Sequence, residues 1–314
     1  MRKVLLWEAC LPVVVMCAMG LSGCRENRQA NVAEEQQQRE FPMVTVPSLY
    51  VDPQMRAEYM AMHYWDLFDF RDTVNVGSAA TVTEQALVNY IAIISYARYD
   101  VACKGIVHLI DLAESDSAAH AFFAVNLERY LYEADSPMHS DEFFMPALER
   151  LLASDMVDDT RKIRLKMMWN DLQKNRPGTP AAEIHYRTAS GSRLTLSALR
   201  SEYILLVFHN LGCNACIALI DKIENSAAIK EKQRRNRLQI LAIYPDKNLD
   251  EWEKHLHEIP SSWLSGFDYN TEIDRNETYV LRAIPSVYLL DKNKTVILRD
   301  APLPAVEHYL SVNE

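Results

Sequence analysis

Two hydrophobic periodicities divide the chain. From Pro53 to about Leu172 apolar residues recur at three- and four-residue spacing, so that Leu87, Tyr90, Ile91 and Ile94 share one helical face. Phe123, Leu127, Tyr130 and Leu131 repeat the pattern, as do the stretches "MPALERLLA" and "RKIRLKMMW". Thr81 and Glu84, three apart ahead of the first run, fit a capping box. The spacing predicts about five or six helices. At Asn175 the segment "NRPGTPAAE" brings two prolines and a glycine, which mark a boundary. Beyond it the runs "EIHYRT", "YILLVFH", "LQILAIYP", "SVYLLD" and "TVILRD" alternate with helical stretches beginning at Cys213, Leu249 and Glu272. Strands separated by helices predict an α/β sheet, and the closing strand pair makes it mixed. The fold class is therefore α+β with two domains, all-α over residues 46–174 and α/β over 175–314.

The N-terminus changes this picture by adding a segment outside both domains. In "MRKVLLWEACLPVVVMCAMGLSGC", Arg2 and Lys3 precede an apolar stretch too short to span a bilayer and right for a secretory signal. It ends in "LSGC", which resembles the bacterial lipobox, whose cysteine is acylated and becomes the mature N-terminus. That resemblance makes residues 1–23 a signal peptide and Cys24 a lipid anchor. The following "RENRQANVAEEQQQRE" has no aromatic residue and almost nothing apolar, so it cannot offset the entropy of ordering. Residues 24–45 are read as a flexible tether.

Composition narrows the function classes. With 49% hydrophobic residues and a net charge of −10, the chain is an ordinary globular protein with no nucleic-acid partner, since phosphate binding depends on clustered Lys and Arg. The basic run "KEKQRRNR" from Lys230 reads as a helix C-terminus that complements the dipole. Of 6 cysteines, Cys10 and Cys17 leave with the signal and Cys24 carries lipid, so Cys103, Cys213 and Cys216 remain as thiols. Cys103 precedes Ile106, Val107 and Ile110 at helical spacing and is expected as a small buried hydrophobe. Tyr64, Trp65, Phe68 and Phe70 in "HYWDLFDFRD" are expected in the core and at a domain interface. His108 and His120 have no partner at metal spacing.

Chemistry concentrates in "HNLGCNAC", residues 209–216, where a buried strand gives way to a helix. The first thiol lies beside unpaired N–H groups at the positive end of the helix dipole, a setting that favours a nucleophilic thiolate. Cys216, three residues on, faces the same side of the first turn and can resolve a mixed disulfide. A metal reading stays open, with His209 joining Cys213 and Cys216 around copper or zinc. A four-cysteine zinc site would need a second pair. A purely structural staple is weak, because closing so short a loop constrains the unfolded chain by at most about 2 kcal/mol.

With these residues in view, roughly residues 176–312 resemble the thioredoxin superfamily, in particular the TlpA/ResA-like and peroxiredoxin-like branch of Gram-negative lipoproteins. The resemblance rests on "PGTPAAEIHY", "GSRLTLSAL", the strand-CxxC-helix unit and "AIPSVYLLD". It implies a thioredoxin-like fold, catalytic Cys213 and Cys216, and a cis proline at Pro285 that shapes the substrate groove with Ile284. The helical region, through "YWDLFDF", looks like the uncharacterised domain that precedes such modules. A peroxidase is disfavoured because no threonine or arginine precedes Cys213 closely. The chain departs from the family at Gly212, at Asn214-Ala215 between the cysteines, and at Val207 and Leu219, where relatives carry an acid. The resemblance implies a lipid-anchored envelope enzyme on the periplasmic face, at the outer membrane. Its partners are protein thiols or disulfides and a membrane electron donor or acceptor, and no cofactor or metal is expected. Two rivals remain, a binding scaffold and the copper or zinc carrier.

Overall fold

The computed structural model describes residues 40–77 and 80–313. The predicted signal peptide, Cys24 and the tether up to residue 39 lie outside them. No described helix is long and apolar enough to cross a membrane. The chain divides into two compact units, Met1–Asn126 and Leu127–Glu314.

The first unit is helical. Its elements are α1 (Pro53–His63), α2 (Thr73–Val76), α3 (Thr81–Ile94), α4 (Tyr99–Ala113) and most of α5 (Ser117–Leu131), within which the division falls. Asp52 caps α1 by accepting from the Met55 N–H, and Pro53 at the first helical position needs no such partner. The capping box does not form. The N-cap of α3 is Ala80, whose N–H is held by Gly77 O at 3.0 Å, so the helix starts one residue early and Thr81 is already inside it. Leu87, Tyr90, Ile91 and Ile94 are buried, as their spacing requires. Tyr64, Trp65, Phe68 and Phe70 form the core, with Trp65 edge-on to Phe123 at 5.0 Å and Phe68 edge-on to Phe70 at 4.8 Å. Such ring pairs contribute about 0.5–1.5 kcal/mol each beyond the area they bury. Cys103, expected to be buried, is only partly so, because it sits on α4 at the edge of the buried stripe of Ala102, Ile106 and Leu109.

The second unit holds α6 (Asp141–Ala153), α7 (Asp159–Leu172) and a seven-stranded sheet. The strands are β1 (His185–Thr188), β2 (Arg193–Thr195), β3 (Tyr203–Phe208), β4 (Leu238–Tyr244), β5 (Leu264–Phe267), β6 (Ser286–Asp291) and β7 (Val296–Leu298), in the order β2-β1-β5-β4-β3-β6-β7. The central β3, β4 and β5 are parallel, and β6 and β1 flank them antiparallel, which makes the sheet mixed. Helices α8 (Asn214–Asn225), α9 (Ala227–Arg234), α10 (Leu249–His255), α11 (Glu272–Arg275) and α12 (Leu303–Val312) follow or connect the strands.

Alternation along β3 sends its side chains to two cores. Leu205 and Val207 pack with Ile220, Ile223, Ile229 and Val306 of α8, α9 and α12. Ile204, Leu206 and Phe208 pack with Tyr186, Leu196, Ile273 and Tyr279. Both faces are covered, which is why the strand reads as an unbroken apolar run. The short β5 carries no such run. Its Gly266 lies against Tyr186, where a Cβ would meet Tyr186 Cδ2 and Ile243 Cδ1 at 2.7 Å, so close approach replaces a side chain.

The division of the chain at residue 127 lies upstream of the proline-rich segment at 175, where the secondary structure changes type. Polar side chains tie α6 and α7 to the sheet. Arg176 pairs with Glu142 at 2.7 Å, Arg282 with Asp141 at 2.6 Å, and Arg299 donates to Leu172 O at 2.8 Å.

Candidate active site

Strand β3 is buried along its whole length and points its C-terminal end at the cysteines. Its partner register sets Phe208 opposite Ser286, so the turn after β3 and the residue before β6, Pro285, lie at the same end of the sheet. The Ile284–Pro285 peptide bond is cis. Between β3 and α8 the chain reverses through Gly212 at φ +61°, a left-handed conformation that suits glycine.

Cys213 is the N-cap of α8. Its sulfur accepts from the Cys216 N–H at 3.2 Å, taking the role that serine or aspartate usually fills. Cys216 Sγ lies 2.7 Å from Cys213 Sγ, and both cysteines are free thiols. A further 3.5 Å contact runs from the Asn210 N–H to Cys216 Sγ. The two sulfurs differ in access. Cys213 is partly exposed and Cys216 only 2% so, and burial pushes the Cys216 thiol up to about 12. The arrangement offers one thiol to an incoming partner and holds the second beside it in reserve.

His209 is buried at the end of β3, with Nε2 unpartnered, and burial lowers its pKa to about 4. It is a packed ring. Among the described residues no three His, Cys, Asp or Glu side chains are grouped to hold a metal ion, so His209 and the two cysteines do not converge as a ligand set. Val207 is buried in the apolar core and Leu219 packs on the same cluster, so both positions are held in apolar contacts.

One part of the site was invisible to sequence reasoning. Three residues before Pro285, Arg282 donates to both oxygens of Asp141 at 2.6 and 2.7 Å and to Tyr132 O at 3.1 Å, and its guanidinium lies 4.4 Å from the centre of the Tyr132 ring. Arg299 Nε is 3.4 Å from the same carboxylate. Just after the cis bond, Ser286 donates to Asp300 at 2.7 Å. The proline segment is thus fastened on both sides to acidic side chains, Asp141 and Asp300. Burial alone would lower the Arg282 pKa, but the carboxylate of Asp141, together with Tyr132 and Asp300, more than offsets it and raises the pKa.

Beside this segment lies a cleft of about 630 Å³. Asn210, Val280, Leu281 and Ile284 line it together with Met167 and Asn170 of α7.

Comparison with known proteins supports the geometry. Residues 22–175 match the family model of a domain of unknown function, DUF5106. A thioredoxin-like protein from Bacteroides caccae is 38% identical over 88% of this chain and 99% of its own, with a TM-score of 0.83. The C-terminal domain of an uncharacterized protein from Bacteroides fragilis is 44% identical over 44% of this chain and 98% of its own, with a TM-score of 0.43. No curated protein matches. The likeness to the Bacteroides caccae protein runs through helical region and sheet alike, and with it the chain belongs to the thioredoxin-like proteins.

Proposed function

We propose that the protein is a thiol-disulfide oxidoreductase in which Cys213 attacks and Cys216 resolves. The observation that carries this reading is the pair of sulfurs 2.7 Å apart at the start of α8, one partly exposed and one buried. In the reducing direction the Cys213 thiolate attacks a substrate disulfide. One S–S bond forms, the old one breaks, and the departing sulfur takes a proton from water. Cys216, its proton passing to solvent, then attacks Cys213 and releases the second substrate thiol, so two electrons leave the protein and a Cys213–Cys216 disulfide remains. An external dithiol or membrane electron donor regenerates the thiols. The reverse sequence oxidises a substrate dithiol. The backbone around Ile284 pairs with the substrate by strand addition. Cys24, with its lipobox-like setting, anchors the mature chain on the periplasmic side of the envelope.

The test is disulfide reduction in insulin by the full chain with a dithiol reductant. Activity falls to the uncatalysed background in Cys213→Ser. In Cys216→Ser, mixed disulfides through Cys213 accumulate and disappear with reductant. Identical trapping by the two variants, or none with either, would overturn the assignment and favour the scaffold.

A further inference from the structure

The cleft beside the cis-proline segment is lined in part by α7, an element of the helical stretch that precedes the sheet in sequence. Three features bear on what fills it. Its lining includes Asn210, whose N–H reaches Cys216, and Ile284, which precedes Pro285, so this part of the cleft adjoins the residues that surround the two sulfurs. Its walls are held rather than loose. Arg282 is clamped by Asp141 on one side, and Arg299 donates to Leu172 O at 2.8 Å and Asp171 O at 3.2 Å at the end of α7. The cleft is also charged unevenly. Asp171, Asp246, Asp274 and Glu277 supply four carboxylates against two ammonium groups, Lys174 and Lys247. Lys174 is occupied by Asp171 at 2.8 Å and Glu277 at 3.4 Å. Asp246 and Asp274 are exposed and enter no ion pair among the described residues.

We infer that this cleft is a subsite for the substrate polypeptide next to its reacting cysteine, and that it selects a cationic side chain there. The volume suits a short peptide segment, falling within the usual range of ligand sites. The excess of carboxylate favours Lys or Arg and disfavours Asp or Glu. Because α7 lines the cleft in part, the helical stretch takes part in choosing the substrate. This inference rests on the thiol-disulfide reading and adds specificity to it.

The experiment uses the full chain carrying Cys216→Ser, so that only the first exchange is observed. Peptides of equal length hold one cysteine as a coloured aromatic mixed disulfide, flanked by Lys, Ala or Glu, and release of the aromatic thiol gives the rate. A small neutral dipyridyl disulfide is run alongside. The Lys peptide is expected to react about fivefold faster than the Glu peptide at low salt, with the ratio shrinking as salt rises. Asp246→Asn with Asp274→Asn brings the ratio close to one. Asn170→Arg, on α7, narrows it as well. If the dipyridyl disulfide reacts but the Lys and Glu peptides react equally, the subsite is wrong and the exchange reading stands. A Lys preference that survives both sets of substitutions also overturns the subsite. If the dipyridyl disulfide fails to react with Cys213, the exchange reading itself fails.

Discussion

The aromatic cluster from Tyr64 to Phe70 and the cysteine turn from Leu211 to Cys216 are both crowded with conspicuous side chains, and they come to opposite ends. In the first, ring packs on ring, and the surplus of aromatics is consumed in burial. In the second, the backbone puts two like groups into unlike surroundings, one sulfur partly exposed and one enclosed. Residue type alone does not separate a core from a site. Asymmetry of environment between equivalent groups does, because it gives them different reactivities.

Deleting one buried group of the cluster and one that supports the site sharpens the contrast. Trp65→Ala removes a ring in contact with Phe68, Phe70, Tyr90 and Phe123 and is expected to cost about 3–5 kcal/mol, read from chemical denaturation. The alkylation rate of Cys213 in protein that remains folded should stay unchanged. Asp141→Ala is expected to cost a similar amount, about 3–5 kcal/mol, by leaving Arg282 and Arg299 without their carboxylate. Here the exchange rate with a peptide disulfide should fall too, since Arg282 fastens the segment that ends in Pro285. If Trp65→Ala slows Cys213 as much as Asp141→Ala does, the distinction between core and site collapses.

These two residues also mark what the sequence disclosed. Trp65 belongs to a local aromatic run, and its burial follows from hydrophobicity alone. Strands β3, β4 and β6 were legible for the same reason, being continuous apolar runs. The cysteine pair was legible because both thiols and the helix start lie within eight residues of chain, at 209–216. Asp141 and Arg282 stand 141 positions apart, and no periodicity or spacing links them. Strand β5 was missed because Ser265 and Gly266 break its apolar pattern, although a glycine in a strand signals close approach. The cap at Ala80 was missed because a turn through Gly77, which propensity does not reveal, fixes the helix start.

Acid provides a smaller perturbation that acts at the end of β3. His209 has a pKa of about 4 in the fold, against 6.5 when free, because burial disfavours the imidazolium. The unfolded chain therefore binds a proton that the native chain refuses as pH drops between these values, and stability falls with it. Below both pKa values the loss amounts to about 3 kcal/mol. Denaturation at a series of pH values should show this decline in the native protein and a shallower one in His209→Phe, which keeps an aromatic ring but cannot take up a proton. Equal slopes would mean that other groups carry the acid sensitivity.

The smallest effect concerns the residue before the first cysteine. Gly212 takes φ +61°, where an L side chain brings Cβ close to the following carbonyl, at about 1–2 kcal/mol per residue. An ideal Cβ at this position meets nothing within 4 Å, so the Cβ of Gly212→Trp adds no clash and the cost it brings lies in the backbone. Two outcomes follow from that separation. If the turn keeps its shape, stability drops by about 1–2 kcal/mol in denaturant titration while Cys213 stays the N-cap and retains its rate. If the turn relaxes to a negative φ, stability recovers, but the start of α8 moves and Cys213 loses its bond from the Cys216 N–H. The alkylation rate of Cys213 in the same variant tells them apart, because only the second outcome changes it. Gly212→Asn, which tolerates the left-handed region, should therefore cost less than Gly212→Trp.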